Sequence, residues 1–239
     1  MPVDLVRTTP LYTTAQAARY LGVPPSTLGT WAHGYERILK DRSGKERRVT
    51  GEPIITAQPP RRGQPSIPFF GLAEAFVLVA FRRAGVSLQH IRRCIPILQK
   101  LVGLEHALAS ERLYTDGQRI LYDFAQRVDD PAARRELEGL TVVVGGQRVI
   151  AEAVRDYLQR ITYADDGLAV ELVLPYAERD LLRVRPDQAG GQPLFLHGRA
   201  PLEHVLGRWK AGDRIKEIAK DFGLSADDVE DAIRLIQAA

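Results

Sequence analysis

The chain has 239 residues, of which 45% are hydrophobic and 26% charged, as is usual for a globular protein that buries a core. A single cysteine excludes a disulfide framework and a zinc site built on cysteine pairs. The first ten residues lack the apolar segment of a signal peptide, and no apolar stretch is long enough to span a bilayer. These features predict a cytoplasmic protein without a membrane segment.

The formal net charge of +3 is modest, but the charge is distributed unevenly along the chain. Residues 1–65 contain ten basic and five acidic residues, and residues 82–100 contain five basic and no acidic residues. Residues 225–239 contain four acidic residues and one basic residue. A basic N-terminal half favours contact with phosphates, and solvated faces without a partner are the alternative.

Residues 12–34 predict two helices joined by a tight turn. Thr13 or Thr14 can cap the first helix, Gly22 suits a left-handed turn, and a proline pair begins the second helix. Leu28 and Trp31 share its inward face. Short polar side chains on the opposite face suit the major groove, so the pattern predicts a DNA-binding helix-turn-helix. A helical hairpin for protein contacts is the alternative. The predicted reading residues are Ser26, Thr27, Thr30 and His33.

The segment that follows, residues 35–64, is charged and rich in glycine and proline. Two β-prone pieces, Arg47–Thr50 and Pro53–Thr56, predict a hairpin with its tip near Gly44. A basic hairpin after two helices is typical of a wing, which contacts phosphates or the minor groove. The predicted wing contacts are Arg42, Lys45, Arg47 and Arg48.

The middle of the chain mixes helix and strand patterns. A helix over residues 71–84 is apolar on several faces and is therefore expected at the centre of the core. Ser87 begins a further helix that carries Ile91, Ile95 and Leu98. A Val-rich run over residues 140–150, split by two glycines, predicts a β-hairpin. Residues 151–161 predict a helix, and residues 169–174 and 181–184 predict strands.

The last residues repeat the helix-turn-helix spacing. A turn-rich linker over residues 187–193 precedes a helix over residues 201–211, and Asp213 and Ser225 are the predicted caps of the next two helices. The would-be recognition helix is acidic and would repel DNA, which favours an interaction or dimerisation module. Carboxylates also stabilise a helix N-terminus regardless of any partner. The acidic residues are Asp227, Asp228, Glu230 and Asp231.

Catalytic patterns are weak throughout the sequence. The five histidines are scattered, and none is paired with a carboxylate at the spacing of metal ligands. Cys94 lies on an amphipathic segment, where cysteine is usually a small core residue. Neither a phosphate loop nor a dinucleotide fingerprint occurs. We therefore predict no enzymatic activity, no cofactor and no metal.

Two blocks of the sequence resemble known families. Residues 12–34, together with the segment from Phe81 to Arg92, resemble the MerR-type winged helix-turn-helix. Residues 191–236 resemble a C-terminal family of formerly unknown function that is found in bacterial antitoxins. Their combination is similar to mycobacterial VapB-type antitoxins of VapBC toxin–antitoxin systems.

The resemblance implies a homodimeric autorepressor that binds double-stranded operator DNA and neutralises a PIN-domain ribonuclease toxin. Because a PIN nuclease site is an acidic metal-binding cleft, an inserted arginine could compete with the metal. The candidate toxin contacts are Arg179, Arg183 and Arg185. The chain lacks the long coiled-coil helix of MerR activators, so the dimer interface is expected in the middle β segment or the last helices.

The sequence thus predicts a mainly α protein with small β hairpins, in the α+β class. Three domains are expected: the winged helix-turn-helix at residues 1–110, a mixed connecting segment at residues 111–186, and the interaction domain at residues 187–239. Two other functions remain open. One is a stand-alone MerR-like regulator that responds to a small ligand, and the other is a protein-interaction adaptor.

Overall fold

The computed structural model describes residues 3–40, 46–88, 91–92, 95, 106–115, 131–138, 141–144, 147–150, 152–176, 179–198 and 200–237. Its helices and short antiparallel sheets confirm the predicted α+β class. The predicted features at Arg42, Lys45, Cys94, Leu98 and the hairpin tip at residues 145–146 lie outside the described residues.

Helices and strands alternate in groups along the chain. The helices are α1 (Val3–Thr8), α2 (Thr14–Leu21), α3 (Pro25–His33), α4 (Phe69–Arg83), α5 (Glu111–Thr115), α6 (Pro131–Glu138), α7 (Glu152–Leu158), α8 (Leu202–Lys210), α9 (Ile215–Phe222) and α10 (Ala226–Gln237). The strands are β1 (Pro10–Tyr12), β2 (Tyr35–Lys40), β3 (Glu46–Gly51), β4 (Ile67–Pro68), β5 (Thr141–Val144), β6 (Gln147–Ile150), β7 (Ile161–Tyr163), β8 (Ala169–Tyr176), β9 (Arg179–Val184) and β10 (Leu194–Phe195).

Helix α4 lies at the centre of the core, as its sequence predicts. Every residue from Phe69 to Phe81 is buried, because α1, α2, α3, α7 and β8 all pack around this helix. A helix that is apolar all round has no face for water and must be covered on every side. One continuous hydrophobic cluster runs from Tyr12 to Leu235 and includes residues of both helix-turn-helix units.

The largest sheet is a four-stranded antiparallel array in the order β10-β9-β8-β7. Leu172 of β8 stands opposite Val184 of β9 on one side and Ile161 of β7 on the other. The predicted strands at 169–174 and 181–184 and the hairpin at 140–150 are confirmed. The helix predicted to end at Ile161 ends at Leu158, and β7 begins at Ile161.

Two local predictions are wrong. Residues 53–56 form no strand, because the amides of Ile54 and Ile55 donate to the carbonyl of Trp31, 2.8 and 3.3 Å away, and β3 pairs with β2. Asp213 does not cap α9. Arg214 takes the N-cap position there, and the Asp213 carboxylate forms an ion pair with Arg208.

Contacts between distant segments cross the predicted boundary at residue 187. The Tyr12 hydroxyl donates to the buried carbonyl of Gly191 at 2.8 Å, and Arg19 of α2 lies 3.4 Å from Glu203 of α8. Strand β10, after the boundary, pairs with β9, before it. The segment predicted as a linker is therefore a short turn packed against the N-terminal unit. The division into three domains stays a prediction.

Candidate nucleic-acid interface

The N-terminal helix-turn-helix is held by local hydrogen bonds. The Gln16 amide donates to Thr13 Oγ1 at 3.2 Å and the Thr13 amide donates to Gln16 Oε1 at 2.9 Å, which together form a capping box at the start of α2. Gly22 has φ of 63° and ends the helix in the left-handed region. The Val23 amide then donates to the Ala18 carbonyl at 3.0 Å. These contacts set the direction in which α3 leaves the turn.

One face of α3 packs inward and the other meets solvent. Leu28 and Trp31 are buried, and Ser26 near the start of the helix is exposed. Thr27 and Thr30 are half-buried, and the Thr30 hydroxyl donates to the Thr27 carbonyl at 2.8 Å. Within the described part of the chain, the hydroxyls of Ser26 and Thr27 have no hydrogen-bond partner. Both are therefore available to contact a base edge.

His33 lies at the end of α3 in a different environment. Its Nε2 atom is enclosed and has no hydrogen-bond partner among the described residues. Burial lowers the pKa of His33, so the imidazole is neutral at pH 7 and carries no charge toward DNA. Of the four predicted reading residues, Ser26 is the exposed one, and Ser26 and Thr27 are those whose hydroxyls have no partner among the described residues.

The wing is the hairpin of β2 and β3, with Tyr35 opposite Gly51 and Lys40 opposite Glu46. Because side chains alternate along a strand, this register defines two faces. The first face, which we call the basic face, carries Tyr35, Arg37, Arg47 and Val49. The second, the paired face, carries Glu36, Ile38, Lys40, Glu46, Arg48 and Thr50.

Charge separates the two faces of the wing. On the paired face, Arg48 lies 2.6 Å from Glu36 and Lys40 lies 3.2 Å from Glu46, so its charges cancel locally. The basic face carries Arg37 and Arg47 and no carboxylate among its described residues. Of the predicted wing contacts, Arg47 is thus on the basic face and Arg48 is not. Arg37 was missed because no strand was predicted at residues 35–40, and strand alternation would have revealed it.

The C-terminal unit repeats the same backbone arrangement. Gly223 has φ of 65° after α9, and the Leu224 amide donates to the Ala219 carbonyl at 2.8 Å, as Val23 does to Ala18. Gly223 therefore corresponds to Gly22. In this register α10 is the equivalent of α3. Asp227, Asp228 and Asp231 occupy the positions of Ser26, Thr27 and Thr30.

Two of these acidic side chains are bound by an arginine of the same chain. Asp228 and Asp231 are buried, and Arg179 Nη2 lies 2.6 Å from Asp228 Oδ1 and 3.5 Å from Asp231 Oδ2. The Asp228 amide also donates to Ser225 Oγ at 3.0 Å, which confirms Ser225 as the predicted cap. The face of α10 that corresponds to the DNA-reading face of α3 is thus bound by Arg179, which supports the interpretation that α10 does not bind DNA.

The three candidate toxin contacts lie on β9 or just beyond it. Arg179 binds the α10 carboxylates, and Arg185 lies 3.0 Å from Asp187 and 3.8 Å from Glu171. Hydrogen bonding to Arg185 lowers the pKa of Asp187. Arg183 is half-buried, and its Nε has no hydrogen-bond partner in the part of the chain that the structure describes. Their assignment as toxin contacts stays a prediction.

Two further properties concern the described residues only. No group of three or more His, Cys, Asp or Glu side chains there could hold a metal ion. No helix there has the length and apolar character needed to cross a membrane.

Known proteins share both helix-turn-helix regions. Residues 10–95 match a family described as "Putative DNA-binding HTH domain", and residues 183–235 match "Protein of unknown function (DUF433)". The curated protein "Putative antitoxin VapB45" of Mycobacterium tuberculosis is 45% identical over 236 residues, covering 96% of this chain and 95% of the relative. The chain belongs to the VapB45 antitoxin family.

Two further proteins are similar to this chain. "Uncharacterized protein Rv2308" of Mycobacterium tuberculosis is 24% identical over 225 residues, covering 93% of this chain and 88% of that protein. The crystal structure of Rv2018 from Mycobacterium tuberculosis superposes with a TM-score of 0.76 at 41% identity, covering 94% of this chain and 98% of that one. The VapB45 family relationship and the helix-turn-helix match identify an antitoxin-related protein with a DNA-binding domain.

Proposed function

We propose that this protein is the antitoxin of a type II toxin–antitoxin pair, which binds its own operator as an autorepressor and neutralises a PIN-domain ribonuclease. The observation that carries the DNA half is the exposed polar start of α3 beside a wing that is basic on one face. The relationship to antitoxin VapB45 supports the toxin half. Both activities consist of binding, so we propose no catalytic step and no cofactor.

In the proposed complex, α3 enters the major groove. The hydroxyls of Ser26 and Thr27 contact base edges, where a side-chain hydroxyl can donate or accept. Arg37 and Arg47 contact phosphates beside the groove and fix the register of the protein on the duplex. A homodimer would place two such units on half-sites about one helical turn apart, so the operator is expected to be an inverted repeat.

The toxin half is proposed to use a basic side chain against an acidic, metal-binding nuclease cleft. Arg179 and Arg185 already bind carboxylates of this chain, and those ion pairs would have to break first. Arg183 has no such ion pair among the described residues and requires no equivalent loss. We therefore rank Arg183 first among the three candidates.

DNA binding is tested by fluorescence anisotropy with DNA from upstream of the protein's own reading frame, over a series of salt concentrations. Thr27→Ala is expected to weaken operator binding by about 1 kcal/mol and to reduce discrimination against other sequences. Asp227→Ala is the matched control, because Asp227 takes the place of Ser26 in the C-terminal unit and is expected to leave DNA binding unchanged. Failure of the wild-type protein to prefer its own upstream DNA would exclude the autorepressor and favour an adaptor.

Toxin binding is tested by co-expression with the product of the adjacent reading frame. The expected result is co-purification of a metal-dependent ribonuclease whose activity is blocked in the complex and restored on dissociation. Arg183→Ala should weaken the inhibition, and Arg61→Ala, an exposed arginine outside β9, is the control. Recovery of an adjacent product without nuclease activity would contradict this half of the proposal.

A further inference from the structure

Arg92 connects three elements of the DNA-binding unit. It lies in the helical segment that follows Val86, where Ile91 and Ile95 are buried as their spacing predicts. Its Nη2 donates to the Thr30 carbonyl of α3 at 2.7 Å, and its Nη1 donates to the Glu52 carbonyl just beyond the wing. The guanidinium carbon is 5.1 Å from the centroid of the Tyr35 ring, the first residue of the wing.

The two hydrogen bonds of Arg92 satisfy backbone carbonyls that have few other partners. The Thr30 carbonyl lies in the last turn of α3, where carbonyls have no N–H donor within the helix. A cation is also favoured there by the helix dipole. The Glu52 carbonyl follows the last ladder pair of the wing. A planar guanidinium can donate to both carbonyls at once and still stack on a ring, which an ammonium group cannot do.

Tyr35 extends this linkage to the basic face. The guanidinium of Arg37 is 5.3 Å from the centroid of the same ring, so one aromatic side chain holds both Arg37 and Arg92. Such cation–π contacts orient a guanidinium relative to the ring. The position of a proposed phosphate contact therefore depends on Tyr35, and the position of Tyr35 depends on Arg92.

We propose that Arg92 is a positioning residue, which fixes the wing relative to recognition helix α3 and makes no contact with DNA itself. The inference rests on the proposed DNA-binding function. Ser26 and Thr27 must reach bases while Arg37 and Arg47 reach phosphates, and both can do so only if α3 and the wing keep one relative orientation. The terminal donors Nη1 and Nη2 of Arg92 are directed to Glu52 and Thr30, both within this unit, and its Nε is enclosed by protein.

The test separates positioning from charge. Replacement of Arg92 by Met keeps the apolar stem and removes the guanidinium, and we expect it to weaken operator binding about tenfold while the slope of log K against log salt stays at the wild-type value. A phosphate contact would instead lower that slope by about one, as expected for Arg47→Ala. Arg92→Lys keeps the charge but cannot make the three contacts, so it should bind like Arg92→Met.

Tyr35→Leu provides a second route to the same linkage without removing a cation. It should weaken operator binding with an unchanged salt slope, and combining it with Arg92→Met should add little further loss. In both variants the wing amides should exchange hydrogen faster than in the wild type, a readout that does not require DNA. A reduced slope for Arg92→Met, full activity of Arg92→Lys, or wild-type exchange in the wing would overturn the inference. Absence of operator binding by the wild type would instead contradict the proposed function.

Discussion

The guanidinium of Arg179 binds two carboxylates of α10, with Nη2 2.6 Å from Asp228 Oδ1 and 3.5 Å from Asp231 Oδ2. The side chains of Asp228 and Asp231 are 9% and 12% exposed. Their positions are those of Thr27 and Thr30 in the N-terminal unit. The same backbone motif thus leaves the Thr27 hydroxyl without a partner among the described residues in one unit and attaches to the central sheet in the other.

Arg179→Ala is expected to lower the free energy of unfolding by about 2 kcal/mol, because two nearly buried carboxylates lose their shared partner. Urea denaturation followed by circular dichroism measures the change. Lys40→Ala is the control, since Lys40 and Glu46 form an exposed pair and such pairs contribute at most about 1 kcal/mol. Equal stability of the two variants would show that Arg179 does not attach α10, and any effect of Arg179 on toxin binding could then be interpreted directly.

The two faces of the wing give a second prediction. Arg47→Ala should lower the slope of log K against log salt by about one, because Arg47 is on the basic face and can neutralise a phosphate. Arg48→Ala should change the slope less, since Glu36 already neutralises Arg48 at 2.6 Å. Anisotropy titrations between roughly 50 and 200 mM salt cover the range in which the dependence is steep. Equal slopes for the two variants would mean that both faces meet DNA.

Glu36→Gln is the companion variant for this prediction. It leaves Arg48 with its charge and removes the carboxylate that binds it. If the paired face lies away from DNA, Glu36→Gln should leave the salt slope unchanged. A steeper slope would place Arg48 within reach of a phosphate.

Local signals in the sequence were sufficient for the helix-turn-helix. The helix cap at Thr13, the left-handed Gly22 and the inward pair Leu28 and Trp31 each depend on residues within four positions of one another, and all are confirmed. The apolar character of α4 on several faces likewise predicted its place at the centre of the core. In each case the physical cause is contained in one segment.

Features that depend on distant residues were not predictable from local patterns. Strand β10 has two residues and exists only because it pairs with β9, and Arg179 meets Asp228 across 49 positions. Nothing in the immediate sequence of Arg179 distinguishes it from a solubilising arginine. The closed face of α10 and the role of Arg92 similarly required the tertiary arrangement.

A third prediction concerns acid pH. Arg7 is buried and pairs with Asp166, with Arg7 Nη1 3.2 Å from Asp166 Oδ1. The hydrogen bond from Arg7 lowers the pKa of Asp166 below its ordinary value of 3.8. Because the folded-state pKa is depressed, the stabilisation is complete above pH 3.8 and is lost as the pH falls through the lower, folded-state pKa.

Asp166→Asn should therefore be less stable than the wild type at pH 7, and the difference should shrink at pH values below 3.8. Thermal unfolding from pH 7 down to about pH 2.5 measures it, a range that spans the usual carboxyl pKa. Asp165→Asn, at the exposed neighbouring position, is the matched control and should follow the wild type. A difference that persists unchanged at the lowest pH would assign the stability to something other than this ion pair.

The last prediction concerns the contact between the two helix-turn-helix units. The Tyr12 hydroxyl donates to the Gly191 carbonyl at 2.8 Å. Burial together with Glu203 raises the pKa of nearby Tyr20 to about 12, so the Tyr20 hydroxyl is neutral at pH 7. Gly191 has φ of 78°, and a Cβ there would lie 2.6 Å from Leu11 Cδ1 and 2.9 Å from the Tyr12 hydroxyl. Gly191→Ala should therefore separate the two surfaces as well as strain the backbone.

Gly190 provides the matched comparison, because its φ of 63° is similar and a Cβ there would meet nothing within 4 Å. Gly190→Ala should lose only the backbone term of about 1–2 kcal/mol, and Gly191→Ala should lose clearly more. Differential scanning calorimetry measures both variants and shows whether one transition becomes two. If the units depend on their contact, the C-terminal unit of Gly191→Ala should unfold at a lower temperature while Gly190→Ala keeps a single transition. Equal losses in the two variants would mean that the packing of Gly191 against Leu11 and Tyr12 contributes nothing to stability.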